Sequence, residues 1–152
     1  MSASDLREQV EIELERMSRT LAEITSLQAD LKGREPTQRE KTAAGAFLCQ
    51  LYTGVENILL RICKHRGVVL PTGEDWHLEL VTKFCDPPQP GLPMLLDKKL
   101  GLALDAYRRF RHFFAHTYGI LLEWDRMGDG VIGAQGVFSE FAARVREYLT
   151  TL

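Results

Sequence analysis

Apolar residues recur at three- and four-residue steps through most of the chain, and that period predicts helices. Leu6, Val10, Leu14, Met17, Leu21, Ile24 and Leu31 form one stripe, with charged residues between them. Ser4 or Asp5 is placed to cap its start, and Lys32-Gly33 followed by Pro36 ends it. Thr37-Gln38-Arg39-Glu40 has the spacing of a capping box, in which a hydroxyl and a carboxylate satisfy each other's free backbone N–H groups. From there Ala43, Ala44, Phe47, Leu48, Leu51, Tyr52, Val55, Ile58, Leu59 and Ile62 make a stripe wide enough for a central helix. Lys64, His65 and Arg66 supply cations at its C-terminal end, and Gly67 closes it. Asp75 is placed to cap a short helix carrying Trp76, Leu80, Val81 and Phe84, and the proline-rich run 86–93 reads as a stiff crossover. A fourth helix is expected from about Leu95 to Tyr118, with Leu96, Leu100, Leu104, Tyr107, Phe110 and Phe114 facing inward and Gly119 as its stop. Residues 120–124 have no definite periodicity. A last helix from about Asp125 to Leu149 buries Met127, Val131, Ala134, Phe138, Phe141, Val145 and Tyr148. Gly128, Gly130, Gly133 and Gly136 weaken its first half, which is either broken or packed closely on a neighbour. No sustained two-residue alternation predicts a strand. The expected architecture is a single all-α domain over residues 1–152, an up-down bundle of four long helices and one short one.

Bulk properties narrow the function only slightly. A formal net charge of −2 argues against a whole surface built to grip nucleic acid, although a local basic site is compatible with it. The three cysteines, Cys49, Cys63 and Cys85, form no CxxC pair, so they suggest neither a disulfide framework nor a zinc knuckle. Cys49 and Cys63 sit among apolar residues and read as buried thiols. No signal peptide or membrane-length apolar run is visible, so the expectation is a cytosolic protein with no membrane partner.

The local exception is the end of the fourth helix. Arg108, Arg109, Arg111, His112 and His116 concentrate positive charge within nine residues. A guanidinium presents a donor fork that matches phosphate oxygens, and an imidazole gives or takes a proton near neutral pH. Together they meet two needs of metal-free phosphodiester cleavage, proton transfer and stabilisation of transition-state charge. The spacing is less favourable: at about 100° per residue, Arg111 and His116 lie roughly 140° apart on an ideal helix. Either the helix loosens near Gly119 or a second surface completes the cleft, and facing copies in a symmetric dimer would do the latter. Structural alternatives compete with each functional reading. Arg108 and Arg109 are either phosphate-steering groups or a solvated face. Glu56 and Asn57 form hydrogen bonds to a neighbouring helix or orient Arg111 from behind. His112 and His116 share a helical face, but no glutamate between them completes a metal motif, so no metal is expected. His65 and His77 have no partner in sequence and read as surface residues, and Trp76 and Trp124 as packing residues.

Arg111, four residues, His116, one residue, Tyr118 resembles the Arg-x4-His-x-Tyr signature of HEPN proteins, in particular the HepT-like toxins. The segment Leu51-Tyr52-Thr53-Gly54-Val55-Glu56-Asn57-Ile58-Leu59 is also similar to the second helix of that family, and the order of elements agrees. The Gly-rich start of the last helix departs from the pattern. The resemblance implies a homodimer with motifs facing across a cleft. It implies a metal-independent endoribonuclease toxin, without cofactor, using Arg111 and His116. It further implies a cognate nucleotidyltransferase antitoxin that transfers AMP to Tyr118, placing charge and bulk where RNA phosphate would enter. Two other function classes are compatible with the sequence: a non-catalytic HEPN companion of a nucleotidyltransferase that binds nucleotide or RNA, and a plain helical adaptor.

Overall fold

The computed structural model describes residues 2–152. Among these residues the chain is helical, with no strand. Five helices run in order: α1 (Ala3–Leu31), α2 (Gln38–His65), α3 (Trp76–Thr82), α4 (Lys98–Ala115) and α5 (Trp124–Leu149), with one 3₁₀ turn at Gly119–Leu121. α2 is the hub. It packs on α1, α3, α4, α5 and the 3₁₀ turn, and α1 forms its most extensive partner. Its width of apolar surface explains that position: Leu48, Leu51, Tyr52, Val55, Ile58, Leu59 and Ile62 are all buried, which leaves only a narrow strip through Gln50 and Thr53 exposed to water. The whole predicted stripe of α1 is buried against it.

The helix ends follow local hydrogen-bond chemistry. At α2 the expected capping box is present: Thr37 Oγ accepts from the Glu40 N–H at 3.2 Å, and Glu40 Oε1 accepts from the Thr37 N–H at 2.9 Å. Arg34 adds a two-pronged pair to the same carboxylate, at 2.7 and 2.8 Å. α1 begins earlier than expected. Ser2, rather than Ser4 or Asp5, is its cap, and Asp5 closes the box from the third helical position. Lys32 takes the left-handed conformation at φ 51° and ends α1, with Gly33 at φ 80° behind it. Asp75 precedes α3 but makes no side-chain cap.

α4 is shorter than the periodicity predicts. Asp97 caps its start through a 2.8 Å bond from the Leu100 N–H, so Leu95 and Leu96 are buried from the crossover rather than from the helix. Its end falls at Ala115, not Tyr118: the His116 N–H bonds to the Phe113 carbonyl, a tightened last turn, and the chain then leaves the helical path. Tyr118 therefore lies beyond the helix. The turn that follows is held close to α2. An added Cβ on Gly119 would stand 2.7 Å from Thr42 Oγ1, closer than side chains tolerate.

α5 is unbroken despite its glycines, two of which lie under aromatic rings at ordinary contact distance while Gly136 faces open space. Tyr107 of α4 lies across Gly130, its hydroxyl donating to the Gly130 carbonyl at 2.6 Å. A Cβ on Gly130 would contact the Tyr107 ring and Leu48. Burial pushes the Tyr107 phenol up to about 12, so the hydroxyl remains a donor at any ordinary pH. Trp124 covers Gly128 in the same way. Cys63 is buried as expected, whereas Cys49 is half-buried, with burial raising its thiol to about 11; all three thiols are free.

The α2 cap makes a pH prediction. The Arg34 guanidinium, joined by the Thr37 N–H, lowers the Glu40 carboxyl from 4.5 to about 2. A depressed carboxyl contributes stability above 4.5 that is lost as pH falls towards 2. In urea titrations across that interval, wild type should lose more stability than Glu40→Gln. Parallel acid limbs for the two proteins would contradict this account of the cap.

Candidate active site

A single carboxylate organises the site. Glu56 is buried in the middle of α2, the one charged residue in the core among the described residues. An unpaired carboxylate there would be costly, so it must be met by cations or donors. Arg111 of α4 meets it with both prongs: Nη1 donates to Oε1 at 2.8 Å and Nη2 to Oε2 at 2.9 Å. Nη1 also donates to Thr53 Oγ1 at 3.1 Å, and the guanidinium lies over the Tyr52 ring at 4.8 Å. Tyr52 and Thr53 both lie beside Glu56 on α2 because three and four steps along a helix return to nearly the same face. Burial, reinforced by the Glu56 charge, pushes the Tyr52 phenol well above its usual range, so the ring is a neutral floor beneath the guanidinium.

His77 is the third member. In place of the surface position its isolation in sequence suggests, α3 puts its Nδ1 2.7 Å from Glu56 Oε2 and 3.0 Å from Arg111 Nη2. A ring lone pair aimed at a carboxylate oxygen at that distance would be repelled. Nδ1 therefore carries the hydrogen and donates to Glu56, and the Arg111 contact is a close approach of two donors around one acceptor. Trp76 stacks against the imidazole, ring centroids 3.7 Å apart, and limits its rotation. The signal in the sequence was Glu56 itself: a carboxylate within an apolar stripe demands partners, but nothing in the local spacing identifies which.

At the end of α4, His116 Nδ1 donates to the His112 carbonyl at 2.7 Å, satisfying one of the acceptors that a helix C-terminus leaves open. The two imidazoles lie against one another, centroids 4.6 Å apart. Because the helix ends at Ala115, His116 is not held to the angular separation from Arg111 that an ideal helix imposes. His77, Arg108, Arg111, His112, Ala115 and His116 line one cleft of about 300 Å³. No carboxylate is among those lining residues. Arg108 reaches the cleft with its Nε tied to Asp105 at 2.8 Å. Arg109 pairs with the other oxygen of Asp105 but lines a separate groove with Phe113 and Leu121. Tyr118 is 77% exposed beyond the helix end. Asn57 does not support Arg111; its amide donates to Glu13 of α1 at 3.0 Å. Glu56, by contrast, bonds Arg111 directly across the α2–α4 contact. His65 is half-buried and outside the cleft. No group of three or more His, Cys, Asp or Glu residues is arranged to hold a metal ion among the described residues.

Removal of Arg111 leaves Glu56 buried with its strongest partner gone. Arg111→Ala should lower unfolding free energy by about 3–5 kcal/mol, the usual penalty for breaking a buried pair from one side. His116→Ala removes an exposed side chain bonded only to its own helix and should change stability by about 0.5 kcal/mol or less. Urea denaturation distinguishes the two, and equal, small effects would contradict the pairing described.

The family model described as HepT-like protein matches residues 43–152, from the first turns of α2 through α5. It therefore spans Glu56, His77 and the whole motif helix, and leaves α1 outside. No curated protein and no solved structure shows significant similarity to the chain. No helix is long and apolar enough to cross a membrane among the described residues. With a helical bundle, an Arg-x4-His-x-Tyr run at the end of α4 and a family match over most of its length, the chain belongs to the HepT-like family of HEPN toxin-type proteins.

Proposed function

We propose that this protein is the toxin of a toxin–antitoxin pair and acts as a metal-independent endoribonuclease. The observation that carries the reading is the cleft that gathers Arg111, His112 and His116 with no opposing carboxylate in its lining. RNA supplies its own nucleophile, the ribose 2′-hydroxyl, so the protein needs to position the phosphate, move protons and stabilise charge. His116 suits proton transfer: Nδ1 is occupied by the His112 carbonyl, which leaves Nε2 for exchange. Arg111 is held rigidly by Glu56 and Thr53, so its guanidinium presents a fixed positive edge at no further ordering cost. Arg108 and His112 add phosphate contacts along the wall, while Arg109, on the separate groove, steers RNA from outside.

A second copy of the chain completes the cleft in this reading. Phe113, Ile120 and Leu121 are large apolar residues left exposed beside the motif, and Phe113 and Leu121 border a groove of about 660 Å³. Exposed apolar surface next to a functional cleft marks an interface, and a two-fold axis there brings two motifs together. Tyr118, exposed past the helix end, is open to modification by a cognate nucleotidyltransferase. An AMP adduct would put a negative phosphodiester two residues beyond His116 and repel RNA.

One observation favours a non-catalytic binding role instead: the Arg111 charge is already met by Glu56. Activity decides between them. Purified protein with EDTA present should cleave single-stranded RNA, and His116→Ala, which leaves the fold intact, should lose about a hundredfold or more of that rate. Unchanged RNA binding with no cleavage by either protein would favour the binding role. Mass spectrometry after co-expression with the antitoxin should show AMP units on wild type and none on Tyr118→Phe.

The interface has its own test. Leu121→Asp places a charge on the proposed contact without touching the core. Sedimentation should then report a monomer, with cleavage lost; a fully active monomer would overturn the shared cleft.

A further inference from the structure

We propose that His77 is a second proton-transfer group of this cleft, acting as the general base, with Glu56 fixing its tautomer. The proposal rests on the ribonuclease reading. Its basis is a parallel between two imidazoles contributed by different helices. His116 has Nδ1 pinned to a carbonyl, and His77 has Nδ1 pinned to a carboxylate. Both therefore direct Nε2 away from the hydrogen bond that holds the ring, and both side chains line the same cleft. His77 Nε2 makes no hydrogen bond among the described residues, and its side chain retains 38% exposure. A histidine needed only to neutralise Glu56 would have no reason to present its other nitrogen to a cleft, and Glu56 already has the two prongs of Arg111.

The carboxylate behind the ring does for His77 what orienting groups do for catalytic histidines in general: it selects the Nδ1–H form, leaves the Nε2 lone pair outward and stabilises the charge that appears when Nε2 takes a proton. Glu56 Oε2 accepts from both His77 Nδ1 and Arg111 Nη2, so one carboxylate oxygen links this base to the group that meets the phosphate. The charged and titratable groups around the ring are Glu56 on α2, Arg108, Arg111 and His112 on α4, and His116 at the end of α4.

The division of labour balances. His77 Nε2 takes the proton of the 2′-hydroxyl as the 2′-oxygen bonds to phosphorus. The bond from phosphorus to the 5′-oxygen breaks, and that oxygen takes a proton from the Nε2–H of protonated His116. The products are a 2′,3′-cyclic phosphate and a 5′-hydroxyl. His77 ends protonated and His116 neutral, and exchange with water restores both.

Asparagine is the informative replacement, because its amide nitrogen sits where Nδ1 does and keeps the donor to Glu56 while removing Nε2. His77→Asn should retain the wild-type melting temperature and RNA affinity, measured on a fluorescent single-stranded RNA, and lose about a hundredfold or more in kcat. Nitrogen-15 spectra of the wild-type His77 ring should show hydrogen on Nδ1 and a lone pair on Nε2. Wild-type kcat in His77→Asn, or hydrogen on Nε2 in those spectra, would overturn the proposal. A wild type that cleaves while His77→Asn cleaves equally well leaves the ribonuclease reading standing. A wild type that cleaves no RNA removes that reading, and this proposal with it.

Discussion

The pairing of Glu56 with Arg111 ties the core to the cleft. A carboxylate in the interior of the central helix is tolerated because a guanidinium from α4 meets both of its oxygens and a histidine from α3 approaches one of them. Such a pair is a weak source of net stability, since desolvation of two charges offsets much of their attraction. Its effect is on specificity. The placement of α3 and α4 that satisfies the carboxylate also brings His77, Arg111 and the end of α4 to one cleft. The same contact that fixes the packing of three helices thus fixes the geometry of the groups available for chemistry.

Long-range order was legible where hydrophobic period and capping chemistry agree. The buried stripe of α1 coincides with the residues its spacing selects, and the Thr37–Glu40 box starts α2 as its pattern requires. The end of α4 was less legible. His116, Thr117 and Tyr118 contain no helix breaker, and the helix stops because the last turn tightens on the Phe113 carbonyl while Gly119 passes against Thr42. The glycines of α5 looked like weakness in sequence. The helix nonetheless runs through them without a break, with Tyr107 and Trp124 packed across the backbone at Gly130 and Gly128.

The site was half legible for a related reason. Arg111 and His116 stand out because charge inside an apolar helix is unusual, and the family resemblance rests on their spacing. His77 does not stand out: its partner is 21 residues away on another helix, joined through a carboxylate rather than a motif. Sequence periodicity reports which face of a helix is buried, but it does not report which buried polar groups find one another across helices. A core carboxylate is the cue to look for such a group, since each of its two oxygens accepts more than one donor.

The position of Glu56 also gives the fold and the proposed chemistry a common dependence, which a double-mutant cycle measures directly. Unfolding free energies of wild type, Glu56→Gln, Arg111→Met and the double variant isolate the coupling between the two side chains. The buried two-pronged pair predicts a coupling of about 1.5–3 kcal/mol, within the range for residues in one network. Additivity within about 0.5 kcal/mol, the behaviour of independent sites, would contradict the claim that this pair holds the cleft together.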